Sequence, residues 1–234
     1  MNLFLMNQKR DRDLDEYLLK LCVDKNDYEI IKKEDSSLLL IGGGYSLQKS
    51  LFKTKIAARI MNVDLDPPSD CDGGNILNIK GDFTEVVPYI NEFDEIWALY
   101  SLPLYAPDKN AIFMFLMNAV LAIKPKGNIR FFPLEFDDSD KMHTKDADYD
   151  MTTMECTYYV LNVIEVLKEL KILYKSIDIS GENNNRVEKT VILTPNCSSS
   201  QKEKINSIII EKIKEYSLTH KLEKNLNVYV DRNE

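Results

Sequence analysis

Histidine is nearly absent from this chain: there are two in 234 residues, with four cysteines and a single tryptophan. Cys22, Cys71, Cys156 and Cys197 form no CxxC pair, and neither His143 nor His220 completes a ligand pattern with them. A zinc site therefore has little to build on, and no metal is expected. Scattered thiols of this kind read as the reduced cysteines of a cytoplasmic protein. Positive charge is also short, with 30 Lys and Arg against 38 Asp and Glu and a net charge of -8. Binding along a phosphate backbone needs a field of cations, so nucleic acid is not expected as a partner. Long apolar runs are missing too. Leu3-Phe4-Leu5-Met6 turns polar at Asn7-Gln8-Lys9-Arg10, too short for a signal-peptide core. No segment reaches the roughly 18 apolar residues of a membrane helix, so no membrane partner is expected. A protein exported without a cleaved signal has the same appearance.

What is present is a globular balance, 44% hydrophobic and 29% charged, at a length that suits one α/β domain. Leu14, Tyr17, Leu18 and Leu21 have helical spacing and predict a flanking or lid helix. Leu38-Leu39-Leu40-Ile41 is a continuous apolar run that stops at three glycines, the pattern of a buried parallel strand. After them, Ser46 is placed to cap a helix carrying Leu47 and Leu51 on one face. Further strands are expected at Ile60–Asp64, Ile76–Ile79, Glu95–Leu99 and Ile129–Phe132. A short helical stretch is expected around Val86 to Ile90, and a helix with Ile112, Leu116, Val120 and Ile123 on one side, ended by Pro125 and Gly127. Val160, Ile164, Leu167 and Leu170 predict another helix. Two strands follow, Ile172–Ile179 and Val187–Leu193, and the Gly181 to Asn185 connector marks them as a hairpin. Ile205, Ile208, Ile209 and Ile213 form an apolar stripe on a last helix, which packs on the sheet or serves as a homodimer seam. A short terminal strand is expected at Leu226–Val230. Alternating strands and helices imply a parallel sheet with helices on both faces, and the closing hairpin reverses one strand. One domain is expected, with residues 1–35 as a helical flank, 36–195 as the core and 196–234 as a helical extension.

Three strand ends carry the chemistry. Gly42-Gly43-Gly44-Tyr45 follows the first strand, and glycines there let the backbone turn and approach a ligand before a helix N-terminus. Asp64 ends the second strand about 20 residues later, where a carboxylate can accept ribose hydroxyls. Gly81-Asp82-Phe83 ends the third, with a carboxylate for an adenine amino group and a ring for the purine. A parallel sheet brings these ends to one edge, so an adenosine-containing cofactor is expected.

These segments resemble the motifs of class I S-adenosylmethionine-dependent methyltransferases. Leu38 to Gly44 is similar to the family's first motif, Asn62-Val63-Asp64-Leu65-Asp66-Pro67 to its second, and Lys80 to Phe83 to its third. Phe93 to Trp97 resembles the fourth-strand motif, and Ala122-Ile123-Lys124-Pro125-Lys126-Gly127-Asn128 the turn before the fifth strand. The resemblance implies a seven-stranded Rossmann-like sheet of order 3-2-1-4-5-7-6, with S-adenosylmethionine as cofactor. It implies methyl transfer to a small molecule or a protein side chain by direct displacement. It also implies that Gly42, Gly43 and Gly44 with Tyr45 hold the methionine and ribose part, Asp64 the ribose with Leu65 alongside the adenine, and Gly81, Asp82 and Phe83 the base. Tyr100, Ser101 and Leu102 would lie near the sulfonium.

No catalytic residue follows from this. Tyr100 and Tyr105 are pocket candidates, Asp108 reads as the cap of the next helix, and His143, in the acidic loop 137–150, is the histidine placed to act as a base. The family usually has an acid two residues before the first glycine, where this chain has Leu40. That departure supports a second reading, a non-catalytic binding module of the same fold. A third, an NAD-dependent oxidoreductase, shares the glycines and Asp64 but not the closing hairpin.

Overall fold

In the computed structural model, residues 12–54, 56, 58–68, 74–85, 89–104, 106–136, 153–179 and 187–220 are described. Two short helices come first among the described residues, α1 (Leu14–Lys20) and α2 (Lys25–Ile31). The core follows as β1 (Ser37–Ile41), α3 (Tyr45–Lys53), β2 (Arg59–Asp64), β3 (Ile76–Lys80) and β4 (Phe93–Leu99). Then come α4 (Lys109–Ala122), β5 (Ile123–Phe136), α5 (Thr153–Glu169), β6 (Ile172–Asp178), β7 (Val187–Pro195) and α6 (Ser199–Thr219). The strands form one seven-stranded sheet of order β3-β2-β1-β4-β5-β7-β6, the order that the resemblance implies. Pairing is parallel from β3 through β5, and β7 runs antiparallel to both β5 and β6.

Side chains on a strand alternate between faces, and the apolar strands here feed two separate cores. Leu39, Ile41, Ile96, Ala98, Ile129 and Phe131 face a core completed by α4, α5 and α6. Leu38, Leu40, Trp97, Leu99 and Phe132 face a second, completed by Leu14, Tyr17, Ile31, Leu47 and Leu51 from α1, α2 and α3 and by Leu21 at the end of α1. The N-terminal helix is thus part of this second core.

A buried charge ties that layer down. Arg130, in the middle of β5 and 2% exposed, donates through Nε to Glu95 on β4 (2.9 Å) and through Nη2 to Asp27 on α2 (2.5 Å). Its Nη1 donates to the carbonyls of Leu21 and Cys22 just after α1. Glu95, 1% exposed, also accepts from Trp97 Nε1 and Asn128 Nδ2. Burial opposes the Arg130 charge, yet Glu95 and Asp27 together hold the guanidinium above its ordinary range. A charge buried at this depth persists only when its hydrogen bonds are made, and all three of its nitrogens make them here.

Several elements differ from the sequence reading. Helix α3 begins at Tyr45 with Gly44 as its N-cap, so Ser46 lies inside the first turn rather than capping it. Helix α4 is buried on nearly every side, including Phe115 and Met117, because α6 covers its outer surface. Ile205, Ile209 and Ile213 of α6 are consumed in that packing and only Ile208 stays exposed. This corrects the dimer-seam reading: the stripe is satisfied within the chain. The Lys124–Gly127 segment lies within β5, as a bulge beside Asp94: pairing jumps from Phe93↔Ile123 to Glu95↔Asn128. Lys124 Nζ donates to Asp94 (2.7 Å), and a Cβ on Gly127 would sit 2.7 Å from the Asp94 carbonyl oxygen. That motif secures the strand edge opposite the glycine turn. Tyr89 and Ile90 are not helical, and Val86 lies outside the described residues. The 181–185 connector and Leu226–Val230 also lie outside them.

Lys202 on α6 is fully buried and donates to Val120 O (2.7 Å), Asn91 Oδ1 (3.0 Å) and Asn206 Oδ1 (2.6 Å). Val120 stands in the last turn of α4, whose dipole favours a cation. Burial nevertheless pulls Lys202 down to about 8.

Two outcomes are expected. Arg130→Leu leaves Glu95 buried and uncompensated and should cost about 3–5 kcal/mol in urea or thermal unfolding. Because Lys202 releases its proton more readily when folded than when unfolded, its contribution to stability should rise as pH climbs from about 8 towards the unfolded value. Unfolding of the protein beside its Lys202→Met variant between pH 7 and 10 should show the difference shifting in favour of Lys202 by about 1–3 kcal/mol.

Candidate functional site

At the C-terminal ends of β1 to β4 lies a cavity of about 340 Å³. It is lined by Gly42, Asp64, Leu65, Gly81, Asp82, Phe83, Tyr100, Ser101 and Leu102, together with Ile41, Val63, Thr84 and Pro107. Most of the residues singled out in the sequence therefore share one concavity. Gly43, Gly44 and Tyr45 do not line it. Tyr105 and His143 lie outside the described residues. Among the described residues no cluster of three or more His, Cys, Asp or Glu is placed to hold a metal ion. No described helix is long and apolar enough to cross a membrane.

The glycine turn is held from three sides. Gly42 has φ +72, a conformation that L side chains rarely adopt, and a Cβ there would lie 3.1 Å from Ser101 Cβ. Its N–H continues the ladder by donating to Val63 O (3.0 Å), and Ser101 Oγ donates to Ile41 O (2.9 Å). The Gly43 N–H donates to the buried Asn62 Oδ1 (2.9 Å), while its carbonyl accepts from Gln48 Nε2 (2.9 Å). A Cβ on Gly43 would meet Asn62 Oδ1 at 2.8 Å and Leu40 at 3.0 Å, so only glycine fits.

Behind the turn, Asn62, Asn78 and Gln48 close a network of side-chain amides. Asn62 Nδ2 and Gln48 Nε2 both donate to Asn78 Oδ1, and Asn78 Nδ2 donates to Gln48 Oε1 (3.1 Å). These residues were not picked out from the sequence. The signal was there: Asn62 and Asn78 each interrupt an apolar strand two residues before its end, and they are register partners across β2 and β3. Leu40 completes the same row, paired with Asn62 on one side and Trp97 on the other. Its side chain is fully buried among Leu38, Leu47 and Trp97, where a carboxylate would be desolvated.

The two acidic strand ends are shaped by local turns. One Asp64 oxygen accepts from Asp66 N (2.9 Å), and Asp82 Oδ1 accepts from Thr84 N and Oγ1 (2.8 Å each). A carboxylate offers about four lone-pair sites, so these bonds orient each group without exhausting it. Phe83 borders the cavity, but its ring is 2% exposed and packs edge-on against Phe115 (6.0 Å). Its carbonyl accepts from the buried Asn118 Nδ2 on α4 (2.8 Å), which pins the loop.

Tyr100 has φ +47, an uncommon conformation for a bulky residue. Its ring stands edge-on to Phe132 (5.2 Å), and the Arg12 guanidinium lies 4.0 Å from the ring centre. Asp108 caps α4 by accepting from Ala111 N (2.8 Å), as expected. Below the 101–104 loop, Cys156 Sγ donates to Pro103 O (3.4 Å) and Thr157 Oγ1 donates to Glu135 O (2.7 Å). Burial, helped by the Glu135 charge, pushes the Cys156 thiol up to about 12, so it carries no thiolate chemistry at neutral pH.

No protein-family model matches the sequence, and neither does any curated protein sequence. Solved structures do match. The Burkholderia thailandensis 1,6-didemethyltoxoflavin-N1-methyltransferase, with 1,6-didemethyltoxoflavin and S-adenosylhomocysteine bound, superposes with a TM-score of 0.51 at 13% identity, over 81% of this chain and 84% of that one. The N-methyltransferase NodS from Bradyrhizobium japonicum WM9, in complex with S-adenosylhomocysteine, matches with a TM-score of 0.46 at 15% identity, over 80% and 95%. The chain has the Rossmann-like fold of the class I methyltransferases.

Gly42→Ala should lower stability by about 1–3 kcal/mol, since it forces a left-handed alanine against Ser101. Gly81→Ala, whose Cβ meets nothing within 4 Å, should stay within about 0.5 kcal/mol of the parent in the same unfolding experiment.

Proposed function

We propose that this chain is an S-adenosylmethionine-dependent methyltransferase acting on a small molecule or a protein side chain. The observation that carries the reading is the cavity itself. Gly42, Asp64, Asp82 and Ser101 come from four adjacent strand ends and border one space of about 340 Å³. That size lies within the roughly 300–1,000 Å³ of small-molecule sites. The donor and acceptor set fits an adenosyl ligand. Asp64 is an acceptor for ribose hydroxyls and Asp82 for the base amino group, while Gly42 lets the backbone come close. Leu65, 69% exposed, is an apolar cover for the base. The Phe83 ring is in the core, so the base contact assigned to this residue runs through its ring edge or main chain.

When bound, the cofactor supplies a methyl group on a sulfonium, open to direct displacement. The chain's own part is to bind, align and exclude water. Ser101 fixes the end of β1 relative to β4, and the Asn62–Asn78–Gln48 network holds the glycine turn in one shape before any ligand arrives. Tyr100, Ser101 and Leu102 form the wall next to which an acceptor would be aligned. A general base is needed only where the nucleophile must lose a proton. A non-catalytic adenosyl-binding module is the alternative that Leu40 favours.

Calorimetry with S-adenosylmethionine, S-adenosylhomocysteine and NAD tests the reading. Binding of the two adenosyl compounds but not NAD is expected, and formation of S-adenosylhomocysteine with an acceptor separates an enzyme from a binding module. Asp64→Ala should weaken S-adenosylhomocysteine by about 1–3 kcal/mol, through ribose hydroxyls that lose a charged acceptor. Unchanged affinity in a folded variant removes Asp64 from the site.

A further inference from the structure

One hydroxyl in the cavity wall has its proton already committed. Ser101 lies just past β4 and lines the cavity, and its Oγ is 2.9 Å from the Ile41 carbonyl oxygen at the end of β1. A carbonyl oxygen can only accept, so the single hydroxyl proton of Ser101 is donated to it. Among the described residues none donates back to this oxygen. Lone pairs are therefore what the Ser101 hydroxyl offers to a ligand, and its donation to Ile41 strengthens it as an acceptor. The oxygen is held over the glycine turn: a Cβ on Gly42, itself a lining residue, would lie 3.7 Å from it. Tyr100 N donates to Phe132 O (2.7 Å), so the backbone that carries Ser101 is tied to β5 as well as to β1.

The surroundings have the same sign. Asp64 and Asp82 bring two carboxylates, and the described lining residues include no cation. Arg12, over the Tyr100 ring, is not among them, and its Nε pairs with Glu16 Oε1 at 3.3 Å. An acceptor in such a wall favours a positively charged group over a neutral one of the same shape. The strand order places that preference along the ligand. In the order β3-β2-β1-β4, a base at Asp82 and a ribose at Asp64 are followed along the same edge by Gly42 and Ser101. The sulfur of an adenosyl amino acid is attached to the ribose side, so it is the next group in that direction.

We propose that Ser101 is a specificity-determining residue for the charge on sulfur: its Oγ lone pairs stabilise the sulfonium and favour S-adenosylmethionine over the neutral thioether S-adenosylhomocysteine. This rests on the adenosyl reading above. When the methyl group leaves, the bonding electron pair stays on sulfur and the positive charge is gone. The Ser101 oxygen then has no cation to stabilise, so the wall holds the product less firmly than the cofactor and eases the exchange of one for the other. Both contacts of Ser101 are compatible, since the bond to Ile41 uses the proton and the ligand uses the lone pairs.

Calorimetry on the full chain with S-adenosylmethionine and S-adenosylhomocysteine tests this through the ratio of their dissociation constants. Ser101→Ala should shift that ratio by about three- to tenfold against S-adenosylmethionine. Loss of the Ile41 contact alone would weaken the two ligands together and leave the ratio where it was. Ser101→Thr and Ser101→Val have the same shape and differ in the hydroxyl, so Thr should keep the parent ratio and Val should shift it as Ala does. Melting curves identify the folded variants, and the Thr and Val pair decides the matter if the Ala variant does not fold. An unchanged ratio in a folded Ala or Val variant overturns the proposal, as does an equal shift in the Thr variant. Binding of both ligands by the parent leaves the adenosyl reading standing in either case. If the parent binds neither, that reading falls and this assignment falls with it.

Discussion

The arrangement of the N-terminal helices depends on one buried cation. Arg130 sits in the centre of the sheet with Glu95 beside it, and its remaining donors reach two carbonyls after α1 and a carboxylate on α2. A guanidinium in that position has to satisfy its donors or leave, because an unpaired charge there costs far more than any single apolar contact returns. Two strands and two helices are thereby fixed to a common point. With its C-terminal end held at Arg130 and Tyr17 packed on Trp97, α1 runs so that Arg12, just before it, comes to Tyr100 at the rim of the cavity. The core constraint and the candidate site are two ends of the same helix.

The glycine turn shows the same economy on a smaller scale. Gly42 is needed for its backbone conformation and for the closeness of Ser101, whereas Gly43 is needed because Asn62 and Leu40 leave no room for a Cβ. The polar group that shapes the turn therefore stands on β2, as an amide, rather than on β1, as an acid. A neutral amide can be fully buried once its hydrogen bonds are met, and Asn62 meets its own through Gly43 and Asn78. The turn is preorganised, but the charge that an acid at position 40 would bring is missing from its neighbourhood.

Some apparent motifs have purely mechanical explanations. The Lys124–Gly127 segment, at the start of β5 and away from the cavity, forms a bulge beside Asp94, which accounts for both its lysine and its glycine. The isoleucines of α6 cover α4, a helix too apolar to have a solvent face, and Lys202 caps the end of that helix from within the core.

The apolar runs of β1 and β4, the closing hairpin and the acidic ends of β2 and β3 were legible in the sequence, and with them a mostly parallel sheet and the edge at which the cavity lies, whereas the strand order came only from the resemblance to a known family. They are legible because strand burial and strand ends are written in consecutive residues. The second N-terminal helix, the amide network and the stack of Arg12 on Tyr100 were not, since each joins residues between 16 and about 110 positions apart that no local pattern connects. Asp64, Asp82 and the glycines stood out only together, as strand ends following one another in order. Which glycine lines the cavity, which is taken up by Asn62, and whether the Phe83 ring faces a ligand or the core depended on neighbours that only the folded chain supplies. Local sequence determined the elements and their polarity; packing decided which polar atoms were spent on the fold and which were left for chemistry.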